Sequence, residues 1–260
     1  MVLAILIWII TITTVVLFSI GKWTFPVAAS THAPRVDNHY YVVLVICGII
    51  FFLAQMGLGW VLFRYRDRSG ARAVYTHGNN RLELVWTIAT AVVFFALNIM
   101  GQKVWADLRF RSAPADAIKI EVYGQQFVWN IRYPGKDGKF GRTDIKLMSD
   151  SSGNPLGIDD TDPAGKDDIV VPTMAIPVNR PVEITLRAKD VTHSFFVREL
   201  RVKQDAVPGM AIPIHFTATQ IGSYEVACAE LCGLGHYKMR SVLEVLSEQD
   251  YEKWLAEHAP

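Results

Sequence analysis

Two uncharged apolar runs separated by a short arginine-rich loop constrain this chain more than any other feature. Residues 40–63 carry no charged side chain, and neither do residues 84–100, a run that extends to Gln102. As a helix rising ~1.5 Å per residue, the first run covers ~36 Å, enough to cross a hydrocarbon core of ~30 Å with some tilt. Between the runs lie Arg64, Arg66, Arg68, Arg72 and Arg81, opposed by Asp67 and Glu83, whereas the segment before residue 40 holds only Lys22, Arg35 and Asp37. Basic loops stay on the cytoplasmic side. Residues 38–104 therefore read as a transmembrane helical hairpin, with everything from about 105 onward on the outer side.

A third apolar run, residues 2–20, has no positively charged lead and is long for the apolar core of a signal peptide. Ala28 and Ser30 nevertheless offer a small-residue cleavage site before Thr31. Residues 1–30 are thus an N-terminal apolar helix or a signal segment.

The back of the chain has a different texture. Residues 1–104 hold 8 Lys/Arg against 3 Asp/Glu, and residues 105–260 hold 18 against 22, so a balance of +5 gives way to −4. A net charge of +1 without a basic face argues against a nucleic-acid partner. Three cysteines in 260 residues exclude a small disulfide scaffold. Short alternating or apolar runs at 118–123, 127–133, 182–187, 194–197, 212–217, 222–227 and 241–245 predict seven strands, as in a β-sandwich or barrel. Ser247, with Asp250 three residues on, predicts the N-cap of a final helix whose Tyr251, Trp254 and Leu255 share one face. The Gly/Asp-rich insertion 135–168 ends in Asp159, Asp160, Asp162, Asp167 and Asp168. Its spacing matches no EF-hand, and it reads as a solvated surface insertion.

The chemistry concentrates in Cys228-Ala-Glu230-Leu-Cys232-Gly-Leu-Gly-His236-Tyr-Lys-Met239. Four readings compete. A Cys228–Cys232 disulfide leaves His236 and Met239 without a role. A zinc site has no use for Met239. A mononuclear copper site of one Cys, two His and a weak Met leaves Cys228 spare. Two copper ions bridged by both thiolates, each capped by one His, with Met239 and a backbone carbonyl as weak outer ligands, use every residue. Soft sulfur suits copper, and an electron shared between bridged ions suits an electron relay. His193, opening an apolar strand, is the chosen second imidazole; His215 reads as a strand-face residue, and His258 lies at a frayed end. His32, His39 and His77 read as surface histidines in loops outside the β region.

Thr192-His193-Ser-Phe-Phe-Val-Arg-Glu-Leu-Arg-Val-Lys-Gln-Asp205-Ala-Val-Pro208-Gly209-Met210, with Cys228–Met239 following after 35 residues from His193, resembles subunit II of haem–copper cytochrome c oxidases. The resemblance spans the hairpin and the whole region 105–260. It implies a membrane-anchored α+β chain whose all-β part is a cupredoxin-like sandwich carrying the binuclear copper centre CuA. Its ligands would be His193, Cys228, the Glu230 carbonyl, Cys232, His236 and Met239, and the Glu230 carboxylate would reach a magnesium ion at the boundary with subunit I. The resemblance also implies a c-type cytochrome as electron donor, subunits I and III as partners, and reduction of dioxygen to water coupled to proton translocation. It places the chain in a bacterial-type cell membrane with the copper domain on the periplasmic or extracellular side.

Arg81-Leu-Glu83-Leu-Val-Trp86-Thr87 resembles the family stretch where an acid lies near the mouth of a proton path, which makes Glu83 a candidate. The family's proline shortly after is replaced here by Thr90. In Gly124-Gln-Gln-Phe127-Val-Trp129 the first of two expected tryptophans is Phe127, so Phe127 and Trp129 are the candidates for electron entry. The same features suit the copper subunit of a nitric oxide reductase. A non-catalytic copper-delivery or zinc-stabilised membrane module is the rival from another class. The two thiols count against a quinol oxidase, and the length counts against nitrous oxide reductase.

Overall fold

A computed structural model describes residues 1–21, 25–68, 70, 72, 75 and 77–260; Lys22, counted above in the charge balance, lies outside them. The chain divides into two compact units, residues 1–25 with 35–105 and residues 26–34 with 106–260.

The first unit is helical. Helices α1 (Val2–Ile20), α2 (Ala33–Arg64) and α3 (Asn80–Arg109) are each long and apolar enough to cross a membrane. Large apolar side chains such as Ile9, Leu53 and Phe94 are left on their surfaces, as expected of a lipid-facing helix. The α1 segment packs on α2: the Trp8 indole N–H donates to the Met56 carbonyl at 3.2 Å, and its ring fills the space beside Gly59. The Asn79 Oδ1 caps α3 by accepting from the N–H groups of Arg81 and Leu82, both at 3.1 Å. Without a proline near Thr90, α3 continues for 30 residues.

The second unit is a two-sheet sandwich with ten strands: β1 (Ile118–Gln125), β2 (Val128–Tyr133), β3 (Ile169–Val171), β4 (Met174–Pro177), β5 (Pro181–Ala188), β6 (His193–Val197), β7 (Val202–Ala206), β8 (Ile212–Thr217), β9 (Gly222–Cys228) and β10 (Arg240–Leu246). The sheets run β3-β2-β1-β5-β8 and β4-β10-β9-β6-β7. Strand β5 alternates as expected, sending Val182, Ile184 and Leu186 inward, and meets Phe195, Val197, Val226, Leu243 and Val245 of the other sheet in one core. The seven expected strands are accompanied by three more, β3, β4 and β7. The run expected from 127 begins one residue later because Gln126 and Phe127 form the two-residue tip of the β1–β2 hairpin. The Ser247 hydroxyl caps α4 (Glu248–His258) by accepting from the Asp250 N–H at 3.2 Å, and Trp254 packs edge-on against Tyr133 at 5.2 Å.

Several expectations need correction. The 135–168 insertion is anchored rather than merely solvated. Leu156 is fully buried, and Asp168 pairs with Arg132, which is itself 1% exposed. Within the insertion, Asp159 and Asp162 flank Arg142 at 3.0 and 3.5 Å. His32 belongs to the sandwich unit and is partly buried there, its pKa pushed down to about 4 chiefly by burial. His39 lies within α2, not in a loop. His258 is held rather than frayed, stacked on Trp254 at 4.3 Å with its Nδ1 bonded to the Trp254 carbonyl.

Candidate metal centre

One corner of the β4-β10-β9-β6-β7 sheet gathers the sulfur and imidazole donors. His193 is the first residue of β6 and Cys228 the last of β9, and the adjacent pairing of Phe195 with Cys228 brings the two strand ends side by side. The loop after Cys228 returns to start β10. It is closed by the Cys228 N–H donating to the Met239 carbonyl at 3.1 Å and by the Ala229 N–H donating to the Ser194 carbonyl at 2.9 Å. Residues far apart in sequence are thereby fixed by backbone ladders, which is the rigid support a ligand set requires.

The donor atoms face one another. Cys228 Sγ lies 3.9 Å from Cys232 Sγ, 4.0 Å from His193 Nδ1 and 3.2 Å from the Glu230 carbonyl oxygen. Cys232 Sγ lies 3.7 Å from His236 Nδ1 and 3.8 Å from Met239 Sδ. The donor atoms of His193, Cys228 and Cys232 all lie within 4.8 Å of one another, the one such grouping among the described residues. Both thiols are free. His193 and Met239 are fully buried. Burial, reinforced by the Cys228 thiol beside it, pushes the Cys232 thiol up to about 11. Two adjoining thiols become thiolates together only when a cation compensates them. A set of two sulfurs, two imidazole nitrogens, a thioether and a carbonyl, with His193, Cys228, Cys232 and Met239 buried and His236 half-buried, fits soft, copper-type ligation and offers no excess of hard oxygen.

The surroundings orient these donors. The Asp190 carboxylate meets His193 Nε2 at 2.8 Å and accepts the Gln126 N–H at 2.7 Å. Burial works against that carboxylate, yet these contacts hold it below its ordinary range. With Nε2 occupied, Nδ1 is the nitrogen presented to Cys228. The Gln126 side-chain amide donates to the Cys232 carbonyl at 2.6 Å, tying the β1–β2 hairpin to the ligand loop. Neither Asp190 nor Gln126 was singled out from sequence. An acid three residues before His193 was a usable signal, whereas nothing local marked Gln126.

Trp129 and Phe127 occupy different places. Trp129 is fully buried and packs edge-on against His193 at 6.0 Å and Phe195 at 5.8 Å. Gly124, paired with Trp129 across the hairpin, allows the His193 ring to approach: a Cβ there would come within 2.7 Å of the imidazole. Phe127, 38% exposed, lies on the ligand loop so closely that a Cβ on Gly235 would reach its ring at 2.4 Å. Around it the loop exposes Leu231, Leu234 and Tyr237. Glu230 is exposed, and Glu83 stands exposed in the first turn of α3, where an acid suits the helix dipole.

Comparison with known proteins bears on both units. The family described as cytochrome c oxidase subunit II, periplasmic domain, matches residues 118–246, and that described as cytochrome c oxidase subunit II, transmembrane domain, matches residues 18–104. The alternative cytochrome c oxidase subunit 2 of Bradyrhizobium diazoefficiens is 37% identical over 241 residues, covering 92% of this chain and 84% of that protein. The cytochrome c oxidase subunit 2 of a Synechocystis species is 32% identical over 258 residues, covering 90% and 76%. Among solved structures, the periplasmic domain of subunit II of cytochrome oxidase from Bradyrhizobium japonicum is 25% identical, covering 56% of this chain and 96% of that one, with a TM-score of 0.42.

Proposed function

Because this chain belongs to the cytochrome c oxidase subunit II family, a copper-binding family of membrane-anchored oxidase subunits, we propose that it accepts electrons from a c-type cytochrome and passes them to subunit I. Dioxygen is reduced there to water, coupled to proton translocation. The observation that carries this reading is the convergence of Cys228 and Cys232 with both imidazoles and the Met239 thioether. The Cys228 and Cys232 thiolates would hold copper, which would supply one-electron uptake and release, and their rigid support would keep the rearrangement on transfer small. In this reading His193 and His236 would supply the imidazole ligands, and Met239 and the Glu230 carbonyl would be weaker donors. Asp190 holds the His193 ring, and the Glu230 carboxylate is left to hold magnesium at the boundary with subunit I. Glu83 stands at the entrance of a proton path on the opposite, cytoplasmic side, and subunit III is a further partner. Copper analysis with electron resonance on the purified complex tests the proposal: two coppers in this subunit with a mixed-valence signal support it, whereas zinc or a single copper sinks it.

The electron-entry step falls to Phe127. Its ring touches solvent and the ligand loop at once, whereas Trp129 lies beneath, against His193. The exposed apolar rim of Leu231, Leu234 and Tyr237 is the type of surface that docks a partner with little help from charge. Phe127→Ala is expected to slow electron uptake from the cytochrome on the order of tenfold, in keeping with ~1–2 kcal/mol for an interfacial aromatic. Its copper spectrum should stay unchanged. Stopped-flow reduction by the donor makes the comparison, and wild-type rates in the variant would move electron entry elsewhere.

A further inference from the structure

The donors of the sulfur-rich corner hang on two different supports. His193 and Cys228 end strands of one sheet, whereas Cys232 and His236 ride on the returning loop. That loop is fastened at its two ends, by the Ala229 N–H on the Ser194 carbonyl and by the Cys228 N–H on the Met239 carbonyl. Between those ends it bonds to itself: the His236 N–H meets the Gly233 carbonyl at 3.1 Å, and the Lys238 N–H meets that of Gly235 at 2.9 Å. Among the described residues, one hydrogen bond joins residues 230–238 to the sandwich outside the loop. It comes from the Gln126 side chain, whose amide donates to the Cys232 carbonyl at 2.6 Å. The same residue also holds the strand side. Its backbone N–H donates to Asp190 Oδ2 at 2.7 Å, and Asp190 Oδ1 meets His193 Nε2 at 2.8 Å.

Cys232 is 3% exposed, so packing sets its depth in the corner. Packing is not directional, whereas a hydrogen bond is, and one placed on the carbonyl of Cys232 itself fixes how that peptide is turned. Gly233, the next residue, leaves room for the amide: a Cβ there would come within 2.7 Å of Gln126 Nε2. Partners of this kind act on a metal through its ligands without touching it. We propose that Gln126 is a positioning residue for the copper centre. Its two donors keep the strand-borne His193 and the loop-borne Cys232 in one fixed relation, and loss of the side-chain donor alone frees the loop side. This role rests on the reading of the corner as a copper relay, in which both ligands must hold their places.

The test uses the full chain within its oxidase complex and two substitutions at the exposed hairpin tip. Gln126→Met removes the side-chain donor without adding charge. Gln126→Glu turns an acceptor oxygen towards the Cys232 carbonyl, and both keep the backbone bond to Asp190. The control is Gln125→Met, whose side chain bonds Asp150 and Lys189 and leaves the ligand loop alone. In complex purified from copper-starved cells, amide hydrogen exchange over residues 229–239 should quicken about fivefold in Gln126→Met, the worth of one ordinary hydrogen bond. It should quicken further in Gln126→Glu and stay at the wild-type rate in Gln125→Met. In the copper-loaded complex, both Gln126 variants should alter the hyperfine pattern of the electron resonance and lose copper to a chelator about tenfold more readily. Wild-type exchange, or a wild-type resonance pattern, in both Gln126 variants overturns the role. Changes of equal size in Gln125→Met overturn it as well, since the effect would then belong to the hairpin as a whole. Should the wild type itself prove to carry no paired copper, the relay reading falls, and the exchange comparison, which needs no metal, still decides whether Gln126 positions the loop.

Discussion

Cys228→Ser is expected to erase the mixed-valence copper signal and to stop electron transfer through this subunit. Cys228 Sγ is the one sulfur close to His193, the Glu230 carbonyl and the second thiol together, at 4.0, 3.2 and 3.9 Å. A serine oxygen in its place is a hard donor with little affinity for copper, and it cannot bridge two ions as a thiolate does. The loss in copper affinity should exceed the ~10–100-fold that removal of an outer-shell partner costs. Cys232→Ser should behave alike, because its sulfur faces His236 and Met239 in the same manner. Electron resonance and copper content of the purified variants provide the measurement. A variant that kept the wild-type spectrum would remove the bridging role from Cys228 and with it the relay.

Arg132→Met should be the most damaging substitution for stability. The Arg132 guanidinium, buried at the sandwich edge, binds the Asp168 carboxylate, the Glu121 carboxylate at 3.0 Å and the Gly141 carbonyl at 2.6 Å, and lies over the Phe140 ring. Asp168 in turn accepts the Gly141 N–H at 3.0 Å, so this single cation fastens both ends of the 135–168 insertion to β2. Removing it leaves the buried Asp168 carboxylate without a cation and Glu121 with Arg187 alone, at 3.4 Å, at a cost of ~3–5 kcal/mol. For a chain of this size that corresponds to a fall in Tm of about 10 °C or more. Arg142→Gln in the same insertion is the contrast. Its side chain is 71% exposed, and exposed ion pairs contribute ~0–1 kcal/mol. Thermal unfolding of the two variants side by side checks the ranking; equal Tm values would mean that the buried cation is dispensable.

The apolar helices were legible because a single physical requirement, some 20 residues without charge, leaves an unmistakable mark on a sequence. The strands that were missed are those whose stability comes from elsewhere in the chain. Strand β3 has three residues, β4 contains a proline and pairs with the distant β10, and β7 reads Val-Lys-Gln-Asp-Ala at a sheet edge, with no strong alternation. The ligand candidates were legible because sulfur and imidazole cluster within twelve residues. His193 was found only because it opens an apolar run. The Arg132–Asp168 pair joins residues 36 apart through a fold that no local pattern announces. His32 was misread for the same reason: its surroundings come from Arg201 and His215, not from its sequence neighbours. Phe127 was recognised as a departure from the resembled family, but its exposed place at a hairpin tip became apparent only from the register of Gly124 with Trp129.

The seam between β6 and β9 is short, with Phe195 opposite Cys228 and Phe196 opposite Ala227. A cation held by His193 on one side and by the returning loop on the other would act as a clasp across that seam, adding its binding free energy to the cohesion of the sheet. Metal supply and subunit lifetime are then linked. In a cell starved of copper this corner would open first, giving proteases a way to remove subunits that never received their ions.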